Sequence, residues 1–377
     1  MRVLFWTGSF WPQIGGVEVL AAKFLPALRE RGYEYVVVAP KSFTDLPDES
    51  YFKGIPVYRF PFQNSPARGN LDHFITIRQK ISFLKRSFAP DLIHINAVGV
   101  NNFFHLSTAN THRAPMLVTL HGKWTSQTEG VVGHTLREAD WVVGCSAAIL
   151  GEGLKLAPEI GRRSSIIYNA VEPPSLSPAR LSFDPPRLLC LGRLSHEKGF
   201  DLALAAFATI VRRFPGVRLV IAGDGAARSA LEKQASQQGI SRSVEFTGWV
   251  APEQVPALIN NATFMIMPSR KDSFPLVALE AARMARPVVA TRVGGLPEIV
   301  THQKTGLVVE PEDTTGLAEA ISFLIAHPDT AVQMGNAALK RVETAFSWEA
   351  HVDAYHRLYR QLINDRMMSS KQSLGLT

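Results

Sequence analysis

Short apolar runs recur along the whole chain. Each ends in a polar or glycine-containing turn, and most are followed by apolar positions at helical spacing. Runs of that kind read as strands buried on both faces of a sheet, and the 3.6-residue period between them reads as helices covering it. Val3 to Thr7 is the first strand, with Gly15-Gly16 closing the loop after it. Val17 to Arg31 is a helix stopped by Gly32, and Tyr35 to Ala39 is the next strand. Further strands are expected at Asp91 to Asn96, Pro115 to Leu120 and Ala139 to Ser146. A cluster of Pro173, Pro174, Pro178, Pro185 and Pro186 then interrupts the rhythm as a linker would. It restarts at Arg187 to Leu191, Val217 to Ala222, Val244 to Val250, Phe264 to Met267, Pro287 to Ala290 and Thr305 to Val309. Trp348 to Ile363 is amphipathic and closes the pattern. Strands alternating with helices imply parallel sheets covered on both faces, here in two halves.

Composition narrows the class. A chain of 377 residues has room for two domains of ordinary size. Cys145 and Cys190 both lie in apolar strand-like runs, where buried reduced thiols are expected. No Cys/His cluster has metal-ligand spacing. The first residues are too quickly interrupted for a signal peptide, and no run approaches a membrane span. The expected location is cytoplasmic. The net charge of +7 is unevenly spread. Lys53, Arg59, Arg68, Arg78, Lys80, Lys85 and Arg86 face a single acid, Asp72, in the segment 53–88. No RNA-binding signature or zinc finger accompanies them, which argues against nucleic acid.

The chemistry concentrates after Phe264 to Met267, in Pro268-Ser269-Arg270-Lys271-Asp272-Ser273-Phe274-Pro275-Leu276-Val277-Ala278-Leu279-Glu280. A polar turn there opens a helix expected to run from Leu276 to about Ala285. Ligands of open α/β sheets bind at such strand ends, and amides at Phe274, Leu276 and Val277 would point at an anion. Asp272 and Glu280 suit the two ends of an extended ligand. Arg193 and Lys198, in the turn after Arg187 to Leu191, can converge on one anion, the first as a fork and the second as a point charge. No Asp-x-Asp metal motif and no Gly-x-Gly-x-x-Gly fingerprint is present.

The stretch from Asp272 to Glu280 resembles the acid–seven residues–acid signature of the retaining glycosyltransferases of family four, with Asp where Glu is commoner. The resemblance extends over nearly the whole chain. Asp91-Leu92-Ile93-His94 is similar to the family's acid–apolar–apolar–His strand. Ile166-Ile167-Tyr168-Asn169-Ala170-Val171-Glu172 is similar to its I-P-N-G-V-D segment, with Ala for Gly and Glu for Asp. The resemblance implies a GT-B fold, two Rossmann-like domains with parallel sheets facing each other across a cleft. It divides the chain into an acceptor-side domain at 1–180, a nucleotide-sugar domain at 181–345, a helix at 346–365 crossing back to the first domain, and a disordered tail at 366–377. It also implies transfer of a sugar, with retention and without a metal, from a nucleotide sugar such as UDP- or GDP-hexose to a glycan, a lipid-linked or a small-molecule acceptor. No other cofactor is implied.

By the same resemblance His121, at a strand end beside Gly122, sits near the transferred sugar. Gly15 and Gly16 let the backbone approach the donor, Arg193 and Lys198 hold its diphosphate, Asp272 contacts the sugar and Glu280 the ribose. A nucleotide-sugar epimerase and a non-catalytic sugar-nucleotide-binding protein are the alternatives on the same scaffold. The segment 53–88 interleaves its cations with Phe60, Phe62, Phe74, Ile75, Ile77, Ile81, Phe83, Leu84 and Phe88, a pattern suited to docking on an anionic membrane surface.

Overall fold

The computed structural model describes residues 1–41, 45–62 and 71–373. It divides into two compact units, one formed by Met1–Tyr168 together with the stretch from Glu349 onward, the other by Asn169–Trp348.

The first unit is built on an eight-stranded sheet: β1 (Arg2–Trp6), β2 (Glu34–Pro40), β3 (Glu49–Phe52), β4 (Ile55–Phe60), β5 (Leu92–Ile95), β6 (Met116–Leu120), β7 (Trp141–Gly144) and β8 (Ser164–Ile166), in the order β3-β4-β2-β1-β5-β6-β7-β8. All neighbours are parallel except the edge hairpin β3–β4. The central strands β5 and β6 are buried at every position, as runs interrupted only by His94 and Thr119 allow. Two aspartates start strands in the same way. Asp91 accepts the amide of Arg2 at 2.7 Å and Asp140 that of Met116 at 2.7 Å, so each pins its strand to the neighbour's first residue. The first residue of the family's acid–apolar–apolar–His strand is therefore a sheet anchor. Its His94 is wholly buried, with Nδ1 2.6 Å from Tyr359 Oη and Nε2 2.8 Å from Thr119 Oγ1.

Tyr359 belongs to the last helix, Trp348–Ser373. It lays Val352, Tyr355, Tyr359 and Leu362 into this unit's core, with Tyr355 against Phe24 at 4.9 Å between ring centres. The helix runs on to Ser373, where a disordered tail is expected from 366. Residues 374–377 lie outside the described residues.

The second unit carries a six-stranded, wholly parallel sheet: β9 (Arg187–Leu191), β10 (Arg218–Ala222), β11 (Val244–Gly248), β12 (Phe264–Met267), β13 (Val288–Thr291) and β14 (Gly306–Val309), in the order β11-β10-β9-β12-β13-β14. Its core gathers Leu219 and Ile221 of β10, Phe264 and Ile266 of β12, and Phe207, Ile321 and Leu324 from the covering helices. The order reverses at β9 and β12, whose carboxyl ends form a switch point where ligands bind in such sheets.

The proline cluster behaves differently from a free linker. Asn260 Nδ2 donates to Ser177 O, the Ala179 amide donates to Asn260 Oδ1, and the buried Arg286 donates to Ala179 O. These bonds fasten residues 177–179 to the second unit. Cys145 and Cys190 are buried thiols outside any disulfide, in the first and second units respectively.

Candidate active site

The switch point of the second unit is assembled by two loops, one after β9 and one after β12. In the first, His196–Lys198 form one 3-10 turn that Gly199 closes in the left-handed region, at φ 66°. A Cβ at position 199 would overlap the carbonyl oxygen of Pro268, so only glycine lets the two loops meet. The amides of Arg270 and Lys271 then donate to the Glu197 carbonyl at 2.7 and 3.2 Å. This contact brings Lys198 Nζ within 2.6 Å of Asp272 Oδ2, which also accepts Ser269 Oγ at 3.2 Å. The Asp272 side chain is only 10% exposed and that of Lys198 26%. An ammonium has three donors, so Lys198 keeps N–H groups for a further anion while holding Asp272. Arg193 is placed otherwise. It is exposed, and its guanidinium has no hydrogen bond or ion pair among the described residues. The five-residue spacing therefore joins Lys198, and not Arg193, to the acid.

A third loop supports Asp272 from behind. Thr291 Oγ1 donates to Ser269 O at 2.5 Å, and the Gly295 amide to Ser273 O at 2.8 Å. Gly294, at φ 49°, lies directly against the Asp272 carbonyl. Downstream, Phe274 is buried edge-on against Phe346, with ring centres 5.6 Å apart. Pro275 is the N-cap of the helix Leu276–Arg283 and contributes no side-chain bond. The amides of Leu276 and Val277 thus open the helix without intrahelical acceptors, at the end where the helix dipole favours negative charge. Glu280, half-buried, stands one turn past Leu276.

Sequence reasoning passed over Arg270. Its guanidinium grips Asp201 with both terminal nitrogens, at 2.7 and 2.7 Å. Nε and Nη2 reach the two oxygens of Glu312 at 2.6 and 3.2 Å, and Nη1 also reaches His196 O at 2.9 Å. Every N–H it has is used. The Arg270 guanidinium holds the Asp201 carboxyl below its usual range, and Asp201 in turn raises the arginine. The signal in the sequence was Arg270 beside the motif, with its acids 69 and 42 residues away. No local pattern joins positions so distant.

In the first unit, Gly15 is the N-cap of the helix Gly16–Arg29 with extended backbone, φ −156°. The glycine pair is therefore not a left-handed turn. It leaves a helix N-terminus bare of side chains. His121 follows β6 directly. Its Nε2 lies 3.1 Å from Asn96 Oδ1; with the amide oxygen accepting, the proton is on Nε2 and Nδ1 carries the lone pair. Nδ1 is buried and has no partner among the described residues. Burial, helped by His351, pushes the His121 pKa down to about 3, so the ring is neutral. Asn169 is buried as well, and its Oδ1 has no partner among the described residues.

The basic segment divides. Phe60, Phe62, Ile77, Ile81 and Leu84 are core residues. Arg59 is buried, donating to Trp11 O and Ser50 Oγ at 2.7 and 2.5 Å. Lys85 is fully buried, with Nζ donating to His105 O, Thr108 O and Thr108 Oγ1 at 3.1, 3.2 and 2.9 Å, and burial pushes its pKa down to about 7. Neither cation can meet a surface. On the helix Leu71–Phe88 the outward positions include the apolar Leu71, Ile75 and Phe83 and the cations Arg78, Lys80 and Arg86, together with the acid Asp72 and the polar Thr76, Gln79 and Ser87. Arg68 lies outside the described residues. No helix among the described residues is long and apolar enough to cross a membrane.

Two Rossmann-like units, the second with an anion-ready helix N-terminus at its switch point, are the architecture of a GT-B transferase. Residues 14–175 match the model of glycosyltransferase family 4, and residues 177–341 that of the glycosyl transferases group 1. Glycogen synthase of Mycobacterium tuberculosis is 31% identical over 391 residues, covering 95% of this chain and 94% of that protein. Among solved structures, sucrose-phosphate synthase of Thermosynechococcus elongatus superposes with a TM-score of 0.82 at 22% identity, over 97% of this chain and 100% of that one. HepE of Anabaena, solved in complex with UDP, gives 0.78 at 20%, over 96% and 100%. The chain belongs to the group 1 glycosyltransferases of the family 4 type and is a glycosyltransferase of the GT-B fold.

Proposed function

We propose that this enzyme moves a hexose from a nucleoside diphosphate sugar to an acceptor hydroxyl, with retention at the anomeric carbon and without a divalent metal. The Lys198–Asp272 pair beside the amides of Leu276 and Val277 carries the reading. Cleaving the donor's glycosidic bond leaves negative charge on the departing diphosphate. Fixed cations and amide dipoles aimed at that charge lower the barrier. Lys198 and the helix N-terminus meet this need from a rigid frame, and the unpaired Arg193 supplies a second cation. Asp272 keeps Oδ1 for the hydroxyls of the sugar, and Glu280 serves the ribose. The neutral His121 accepts a hydroxyl proton at Nδ1 as a hydrogen bond and orients that hydroxyl. The bare N-terminus at Gly15-Gly16 admits close approach of the donor.

Among the described residues no group of three or more His, Cys, Asp or Glu could hold a metal ion. That HepE was solved with UDP and with UDP-glucose supports a nucleotide-sugar donor. The acceptor is a glycan or a lipid-linked sugar. For the latter, the outward face of the helix Leu71–Phe88 joins Leu71, Ile75 and Phe83 to Arg78, Lys80 and Arg86, a composition suited to anionic headgroups and the acyl boundary.

A thermal-shift panel of UDP, GDP and ADP sugars identifies the donor, and proton NMR of the product reads its anomeric configuration. Inverted product, or turnover lost with chelator and restored by magnesium or manganese, would overturn the respective part. A new sugar formed from donor alone would make the protein an epimerase.

A further inference from the structure

We infer that Arg270 is a positioning residue for the donor site, acting through Lys198. The inference rests on the reading of Lys198 as a diphosphate ligand. Arg270 ties its own loop to three further segments. Its own backbone carries the loop that ends in Asp272. Its Nη1 and its amide hold the His196 and Glu197 carbonyls, in the single turn that presents Lys198. Its fork fixes Asp201 in the first turn of the helix Phe200–Arg213, which starts where that turn ends. Its remaining donors hold Glu312, a non-glycine residue kept in the left-handed region at φ 62°.

Isolated ion pairs on a surface contribute little, because solvent screens them and two long side chains must be ordered. Arg270 is not of that kind. Its side chain is 15% exposed, its contact to Asp201 is bidentate, and every donor is satisfied in a plane only guanidinium can fill. A lysine could keep the charge but not the fork. Without the fork, the turn bearing Lys198 keeps its backbone tie to the loop but loses the lock that sets its angle. Lys198 then spends part of its time away from Asp272 and from the anion both face.

The test is a double-mutant cycle on nucleotide affinity. UDP and GDP are titrated separately into wild-type enzyme by calorimetry, and the tighter one is carried through Arg270→Gln, Lys198→Ala and the double variant. Arg270→Gln is expected to weaken binding at least about tenfold, and less than about threefold when Lys198 is already alanine, the signature of coupled sites. Arg270→Lys should recover only part of the loss. Asp201→Asn and Glu312→Gln, which leave the arginine in place, should each weaken binding by a smaller factor. They keep the inference testable should Arg270→Gln fold poorly. Wild-type affinity in Arg270→Gln, with Lys198→Ala weakened, would overturn the inference and leave the donor site standing. Equal loss with and without Lys198 would place the action of Arg270 elsewhere and overturn it too. Undiminished binding in Lys198→Ala would overturn the donor reading and this inference together.

Discussion

Replacing Gly294 by alanine tests whether the position of Asp272 is set from behind. Gly294 sits at φ 49°, and a Cβ built there falls 1.6 Å from the backbone carbonyl oxygen of Asp272, where real Cβ atoms stay beyond 3.0 Å. The carbonyl belongs to the chain itself and cannot rotate aside as a side-chain tip would. The substitution has two separable costs. Holding an L-residue in the left-handed region costs about 1–2 kcal/mol. In addition the Asp272 loop must retreat by about 1.4 Å, and displacements on the order of 1 Å at a reacting centre cost about a hundredfold in rate. Gly239 provides the control. It has φ 70° and nothing within 4 Å of a Cβ, so Gly239→Ala bears the backbone cost alone. Both variants should lose about 2–4 °C of midpoint per kcal/mol, for a unit of this size. Only Gly294→Ala should lose turnover, by about two orders of magnitude. Initial rates of nucleotide release, measured with saturating donor at a temperature where both variants remain folded, decide the matter. Turnover in Gly294→Ala within twofold of Gly239→Ala would refute the claim that this contact positions the acid.

Asp272→Asn keeps the size of the side chain and removes its charge. It should lower turnover at least about tenfold, or 1.4 kcal/mol of barrier, and unchanged turnover would make the acid structural. Lys85 has a lowered pKa in the folded state, near 7, against about 10.5 unfolded, so the unfolded chain binds more protons between those values. Stability contributed at this site should rise with pH from 7 towards 9, and urea titrations of Lys85→Met should lack that rise. The buried histidines work in the other sense. His121, His351, His94 and His105 are all held neutral by burial, with pKa values pushed below that of an unfolded histidine. The first unit should therefore lose stability as pH falls from about 6.5 to about 5, while the second, which buries no histidine among its described residues, should lose it only where its paired carboxylates such as Asp201 protonate; hydrogen exchange resolved by segment would show it. Sedimentation with anionic liposomes should weaken with salt and be abolished by charge reversal at Arg78, Lys80 and Arg86; absence of binding at low salt would leave a soluble acceptor.

Much of the fold was legible because buried parallel strands are written as short, self-contained apolar runs. Phe264 to Met267 is a strand in the sequence and in the structure alike. So was the position of His121 at the end of such a run, and of Lys198 and Asp272 in the loops that follow theirs. What stayed hidden was pairing across the chain. Nothing near Lys85 announces that its ammonium is enclosed by the carbonyls of His105 and Thr108, and amphipathic spacing alone placed it on a surface. Arg270 looked like one more basic residue in a polar turn, because Asp201 and Glu312 join it only through the fold. The proline cluster has a linker's composition, yet Asn260 and Arg286 bind its carbonyls from far along the chain.

The helix Trp348–Ser373 has a consequence for how the protein is made. Its Tyr355 and Tyr359 complete the hydrogen bonds of Thr119 and His94, so the first unit takes its parts from two segments that flank the second. On the ribosome, residues 1–168 emerge early but must wait, with a bare apolar face, until the second unit has been synthesised. The second unit is one continuous segment and can fold as it emerges. The segment before residue 169 is thus completed after the unit that follows it, and a nascent chain stalled before residue 349 holds a whole second unit and an unfinished first one.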